Sequence, residues 1–192
     1  MTEIVLRPAR KADAPAVARL FLVASDGLAE YIWSQLAEPG EDLAAVGARR
    51  YARDGVAFSY QNCTMAEQDG AILGMLHAVP MEQDPAAEPT VDPVLRPYSE
   101  LEDYGSLYVS ALAVIEAARG AGLGTRLLEE ADAQARARNL TRVSLICFEK
   151  NERAMKLYRR HGYRALDRRA IVPHPCLHYS EGDAILLAKE AK

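Results

Sequence analysis

The chain has 192 residues, 49% hydrophobic and 26% charged, with a formal net charge of -4 at pH 7. That length supports one substantial core, and the mild acidity offers no basic field of the kind nucleic acids draw on, so no nucleic-acid partner is expected. The three cysteines, Cys63, Cys147 and Cys176, are odd in number and far apart, which suits reduced thiols and a cytoplasmic location. A cationic-then-apolar leader and an apolar run near the ~20 residues of a membrane span are both missing, so neither secretion nor a membrane partner is expected.

Ile4 to Arg7 reads as a short strand ended by Pro8, and Ala14, Val17, Ala18, Phe21 and Leu22 then recur at helical spacing. Ser25 or Asp26 is placed to cap a second helix that runs through Leu36 and stops at Pro39-Gly40; a third short helix extends from Glu41 towards Tyr51. Phe58 to Glu67 and Ala71 to Val79 flank Asp69-Gly70, a dipeptide that tolerates positive φ, and so read as an antiparallel hairpin. The stretch from Pro80 to Gly105 holds five prolines (80, 85, 89, 93 and 97) and many acids, which predicts a long loop with little regular structure.

Leu107 to Ile115 is the strongest strand signal in the chain. Leu123, Leu127, Leu128 and Ala131 then set an apolar stripe on a helix reaching about Arg138, with Glu129, Glu130 and Asp132 early and Arg136 and Arg138 late, as the helix dipole favours. Val143 to Phe148 is another buried strand, Asn151 to His161 a helix closed by Gly162, and two strands near 163–172 and 178–188 finish the chain. This order of strands and helices indicates a single α/β domain over 1–192 with a mixed sheet.

Arg119-Gly120-Ala121-Gly122-Leu123-Gly124-Thr125 leaves a buried strand and opens a helix. Glycines let the main chain approach a ligand and present consecutive N–H groups, while a helix N-terminus adds roughly half a positive charge. A pyrophosphate suits this turn. The nucleoside-triphosphate loop fails, because no Lys-Ser/Thr pair follows the last glycine. The dinucleotide fingerprint needs a glycine at position 125, where threonine stands, although Glu149 lies at a suitable distance downstream and keeps a dinucleotide-binding oxidoreductase open as a reading.

Leu112-Ala113-Val114, then Arg119 to Gly124, then Asn151-Glu152-Arg153-Ala154-Met155-Lys156-Leu157-Tyr158-Arg159-Arg160-His161-Gly162-Tyr163 resembles the GCN5-related N-acetyltransferase (GNAT) family, whose Arg/Gln-x-x-Gly-x-Gly/Ala signature is matched in full. Leu6-Arg7-Pro8-Ala9, Asp13 and the hairpin extend the resemblance more loosely. The family implies a mixed, twisted sheet of about six or seven strands with helices on both faces, and a cofactor that enters where two parallel strands splay after Val114. It also implies that the main chain of Leu112, Ala113 and Val114 bonds the pantetheine arm of acetyl-CoA, with a bulge whose N–H polarises the thioester carbonyl. The residues do not choose among those three amides.

Asn151, Ala154 and Tyr158 stand at helical spacing on one face, which is expected to line the cofactor. A tyrosine, with an ordinary pKa of about 10, is protonated at neutral pH and can give its proton to the departing thiolate, the role the resemblance assigns to Tyr158. Asn151 resembles the family's cofactor-contacting asparagine and equally suits an ordinary helix cap. Arg119 suits bidentate phosphate contact, or else a salt bridge that closes the turn; Thr125 is similar.

The attacking amine must be neutral, so a base or a water relay has to take its proton. Some relatives place a glutamate inside the strand, whereas here Tyr108, Val109, Ser110 and Ala111 occupy it. Glu102, Tyr108 and Ser110 are candidate relay members, and the base stays unassigned. Acids on the early helices (Asp26, Glu30, Glu38, Glu41, Asp42) and in the loop (Glu82, Asp84, Glu88, Asp92, Glu100, Glu102, Asp103) would suit a cationic acceptor or simply form solvated faces. His174, Cys176 and His178 match no strong zinc spacing, so no metal is expected; His77, Cys63 and Cys147 read as packing residues.

The function implied is direct transfer of an acetyl group from acetyl-CoA to a primary amine of a small molecule or peptide in a ternary complex. No cysteine sits where a nucleophile would be wanted. A non-catalytic acyl-CoA-binding sensor is the alternative, supported by the strand that lacks an acid. The last strands could present an edge suited to a homodimer, though nothing in the sequence requires one.

Overall fold

The computed structural model describes residues 3–86 and 90–192; Glu88 and Pro89 of the acidic, proline-rich stretch lie outside them. The strands are β1 (Val5–Pro8), β2 (Cys63–Gln68), β3 (Ala71–Pro80), β4 (Leu107–Val114), β5 (Arg142–Phe148), β6 (Arg164–Ala170) and β7 (Asp183–Glu190). The helices are α1 (Ala14–Ala24), α2 (Leu28–Ser34), α3 (Leu43–Tyr51), α4 (Arg96–Ser99), α5 (Leu123–Ala137) and α6 (Glu152–Arg160). The strands form a seven-stranded mixed sheet in the order β1-β2-β3-β4-β5-β7-β6, which is the α/β architecture expected. The described residues of the chain fall into two compact units, one within 1–78 and 111–127 and the other within 79–110 and 128–192.

In the first unit the hairpin turns where expected. Asp69 and Gly70 take φ of 51° and 78°, and Gln68 faces Ala71 across the two-residue turn. β2, however, starts at Cys63 and not at Phe58. Side-chain bonds hold the preceding residues in a 3-10 turn over Tyr60–Asn62: Ser59 Oγ accepts the Gln61 N–H at 3.2 Å and donates to the Arg53 carbonyl, and Asn62 Nδ2 donates to the Ala57 carbonyl at 2.8 Å. α2 begins later than the sequence suggests, because Asp26 and Gly27 both take left-handed φ (49° and 97°); Ser25 still serves it, accepting the Ala29 N–H on Oγ at 3.2 Å. Asp42 caps α3 by accepting the Ala44 N–H at 3.3 Å.

Val17, Ala18, Leu20, Trp33, Val46 and Tyr51 from the three helices pack with Cys63, Met65, Met75, Ala111 and Ala113 from the strands. Gly47 is required here, since a Cβ would stand 2.3 Å from Trp33 Cη2. Arg7 ties β1 to its neighbours, donating to Asp13 Oδ2 at 2.7 Å and to Glu67 Oε2 at 2.6 Å. Its guanidinium holds the Asp13 carboxyl below the ordinary aspartate range.

In the second unit β4 runs parallel to β5, with Leu107, Tyr108 and Val109 facing Val143, Ser144 and Leu145. β7 lies antiparallel between β5 and β6. It starts at Asp183, later than the 178 expected, and Gly182 just before it takes a left-handed φ of 95°. The 80–105 stretch is less irregular than its composition suggests. It contains α4, whose entry is fixed by Asp92 Oδ1 accepting the Val94 N–H at 2.8 Å and the Leu95 N–H at 3.1 Å. Its ends are clamped by Met81 N–H to the Ser106 carbonyl and Gly105 N–H to the Met81 carbonyl, both at 2.9 Å.

Candidate functional site

The first unit holds the glycine turn. β4 ends at Val114, and a single 3-10 turn over Glu116–Ala118 leads into Arg119. Gly120 and Gly122 take φ of 85° and 81°, a region that costs an L-residue about 1–2 kcal/mol. Nothing lies within 4 Å of where a Cβ would sit at either glycine among the described residues. The demand for glycine is therefore one of backbone direction, and the space above the turn is open. α5 starts at Leu123, and Arg126 N–H donates to the Gly122 carbonyl at 3.2 Å. The N–H groups of Leu123, Gly124 and Thr125 belong to the first turn of the helix, at its positive end.

Arg119 is tied to the strand that precedes the turn. Its Nε donates to the Val114 carbonyl at 3.0 Å, so the side chain braces the turn against the end of β4 and brings Arg119 and Val114 together. On β4, Leu112 and Val114 are half-buried, whereas Ala111 and Ala113 point into the core. Gly74 of β3 approaches this end so closely that a Cβ would stand 2.6 Å from the Ala113 carbonyl oxygen.

The second unit holds α6. Asn151 caps it, Oδ1 accepting the Ala154 N–H at 3.1 Å, so the ordinary cap reading holds for that oxygen. Asn151, Ala154 and Tyr158 are all half-buried along one face, while Met155 is buried. The helix closes at Gly162, φ 87°, through Gly162 N–H to the Arg159 carbonyl and Tyr163 N–H to the Tyr158 carbonyl, both at 3.1 Å. This is the paired closure of a Schellman cap, and its usual side-chain contact is made by Tyr163 against Tyr158, ring centroids 5.7 Å apart.

Of the relay candidates, Tyr108 is a poor base, since burial pushes its phenol up to about 12. Ser110 shares the half-buried face of β4, and Glu102 lies outside the strand, where it accepts the Tyr104 hydroxyl. Many of the acids that suggested a cationic acceptor have structural duties. Glu41 pairs with Arg49, Asp42 caps α3, Asp92 holds the turn that enters α4, Glu100 pairs with Arg169 at 3.0 Å, and Asp103 holds Arg142. Glu149 is likewise occupied, with its N–H bonded to the Asp183 carbonyl at 2.8 Å and its carboxylate 3.8 Å from Arg168. His174 Nδ1 accepts the Cys176 N–H at 3.2 Å, a local loop contact.

The sequence reading treated Asp132 as a dipole-matching acid. In the structure it is buried on α5 and paired with Lys189 at 2.7 Å. Its place beside Leu128 and Ala131 on the apolar stripe was the available signal; nothing local points to a partner 57 residues away.

The sheet order, the glycine turn opening α5 and the capped α6 place the chain in the class of acetyltransferase folds. A model of the acetyltransferase (GNAT) family matches residues 28–163. Among solved structures, an N-acetyltransferase from Staphylococcus aureus Mu50 shares 17% identity over 100% of both chains with a TM-score of 0.66. A ribosomal-protein-alanine N-acetyltransferase from Brucella melitensis shares 21% over 97% of this chain and 99% of its own, TM-score 0.62. The yncA protein of Salmonella typhimurium, whose structure includes its cofactor acetyl-CoA, shares 16% over 100% and 95%, TM-score 0.63. No curated protein matches significantly. The chain belongs to the GNAT family of acetyltransferases.

Proposed function

We propose that the chain acts over its whole length as an acetyl-CoA-dependent N-acetyltransferase, passing the acetyl group directly to a primary amine of a small molecule or peptide. The observation that carries this reading is the left-handed pair Gly120 and Gly122, with open space above them, immediately before α5 in a chain of this family. Such a turn aims main-chain N–H groups and a positive helix end at a pyrophosphate. Leu123, Gly124 and Thr125 contribute those N–H groups, Gly120, Ala121 and Gly122 shape the cradle, and Arg119 adds charge beside it.

Acetyl-CoA supplies an activated acyl thioester. In this reading the main chain of Leu112, Ala113 and Val114 holds the pantetheine arm, and one of their amides donates to the carbonyl where negative charge develops. Asn151, Ala154 and Tyr158 line the arm from α6. Tyr158 gives its phenolic proton to the sulfur that leaves as the amine attacks. The proton of the amine passes to a base or water that no residue of β4 supplies as a carboxylate. The acids engaged in caps and ion pairs weigh against electrostatic selection of a cationic acceptor by them.

The test is thiol release from acetyl-CoA against a panel of polyamines, amino sugars, amino acids and peptides with a free N-terminus. Tyr158→Phe is expected to lower kcat by roughly 10²- to 10⁴-fold with acetyl-CoA affinity intact. Absence of turnover with every amine, together with retained binding, would instead favour a sensor.

A further inference from the structure

One buried ionic arrangement in the second unit has no part in the chemistry above. Lys189, on β7, places Nζ 2.7 Å from Asp132 Oδ2 on α5, with the two side chains 5% and 9% exposed. Removing both ions from water costs more than packing an apolar pair of the same volume, so stability alone does not call for them. Asp132 Oδ1 and the Tyr163 hydroxyl are buried too, with no hydrogen-bond partner among the described residues, which adds to the cost of the cluster.

What the pair does hold is an aromatic ring. Lys189 Nζ lies 5.0 Å from the centroid of Tyr163, within the range where a cation is attracted to a ring face. Tyr163 in turn meets Tyr158 at 64°, centroids 5.7 Å apart, and the main-chain bond from Tyr163 N–H to the Tyr158 carbonyl fixes the same two residues. An unbroken set of contacts thus runs from the ion pair, through one ring, to the ring assigned above as the proton donor.

We propose that Lys189, anchored by Asp132, is a positioning residue for Tyr158 and acts through the Tyr163 ring. The proposal rests on the acid role of Tyr158. A proton donor must stay within hydrogen-bond reach of the group it serves, and misplacement by an ångström can cost about 10²-fold in rate. A ring pinned from behind by a fixed cation limits how far Tyr158 can turn.

The experiment removes the pair together, Lys189→Met with Asp132→Leu, because either change alone strands a buried charge. The expected result is a folded protein whose kcat, with the most active amine of the panel, falls on the order of tenfold while KM for acetyl-CoA is unchanged. In a Tyr158→Phe background the same pair of changes should cause no further loss, and Lys189→Arg should recover most of the rate. Equal loss in both backgrounds, or no loss in either, overturns the proposal. A second readout needs no turnover: the ring ¹³C resonances of Tyr158, assigned by their disappearance in Tyr158→Phe, should shift or broaden in the paired variant, and unchanged resonances overturn positioning. If Tyr158→Phe alone keeps full kcat, the acid role fails and the resonances alone decide the positioning. Should the paired variant fold poorly, Tyr163→Leu is put through the same comparisons, with the same outcomes deciding.

Discussion

His77 sits in the first unit with its ring 5.3 Å from that of Phe58 and stacked on it, edge-on to Tyr51 at 5.6 Å, and its Nε2 3.0 Å from the Ala57 carbonyl oxygen. Burial pushes its pKa down from 6.5 to about 4. The folded state therefore resists a proton that the unfolded chain accepts, so stability is full above pH 6.5 and is lost as pH falls towards 4, by at most about 3 kcal/mol. Denaturation of wild type and His77→Leu at pH 7 and 4.5 checks this: the wild type should weaken across the window and the variant much less. His161 is shifted in the same direction by burial, but it is partly exposed and contributes a smaller slope. A wild-type stability that stays flat across the window would contradict the account of the histidine. Residue roles of this kind were only partly legible. His77 and the two buried cysteines read correctly as packing groups from their apolar neighbours, whereas the bond from Arg119 to the Val114 carbonyl was not foreseen. Side-chain destinations depend on distant backbone, which spacing along the chain does not encode.

At the scale of elements, local chemistry carried most of the information. Asp69-Gly70 set the hairpin, Asn151 and Gly162 bracketed α6, and the apolar stripe of α5 lay where the periodicity placed it. The misplaced boundaries at Phe58, Ser25 and residue 178 share one cause. Each precedes a true element by a few residues that are apolar or cap-like in type but are held irregular by side-chain bonds or by left-handed backbone. The glycine turn gives the sharpest element-level expectation. Gly122→Ala forces a non-glycine residue into φ of 81° and should cost about 1–2 kcal/mol while also weakening acetyl-CoA binding. Gly40→Ala meets the same strain, φ 80° with open space, in the loop between α2 and α3. It should lower the melting temperature comparably and leave cofactor affinity alone. Equal affinities in the two variants would detach the turn from cofactor binding. Gly74→Ala tests the neighbouring strands: its Cβ must displace the Ala113 carbonyl at 2.6 Å, and a destabilisation of about 1–3 kcal/mol with a raised KM for acetyl-CoA is expected by thermal melting and steady-state kinetics.

For the molecule as a whole, the α/β class and the seven-stranded mixed sheet were legible because β4, the turn and α5 follow one another without interruption and the Asn151-to-Tyr163 helix follows at the family's distance. Insertion of β7 between β5 and β6 was not legible, since strand order depends on contacts between segments far apart in sequence. The family match over residues 28–163 settles membership, and the cofactor is the claim on which the proposed chemistry depends. Its most direct test is the melting temperature of the purified protein with acetyl-CoA, coenzyme A, NAD and ATP in parallel. A ligand at a hundred times its dissociation constant should stabilise the fold by about 2.7 kcal/mol. Stabilisation by acetyl-CoA and coenzyme A, with none from NAD or ATP, is the result expected; stabilisation by NAD alone, or by none of the four, would contradict it.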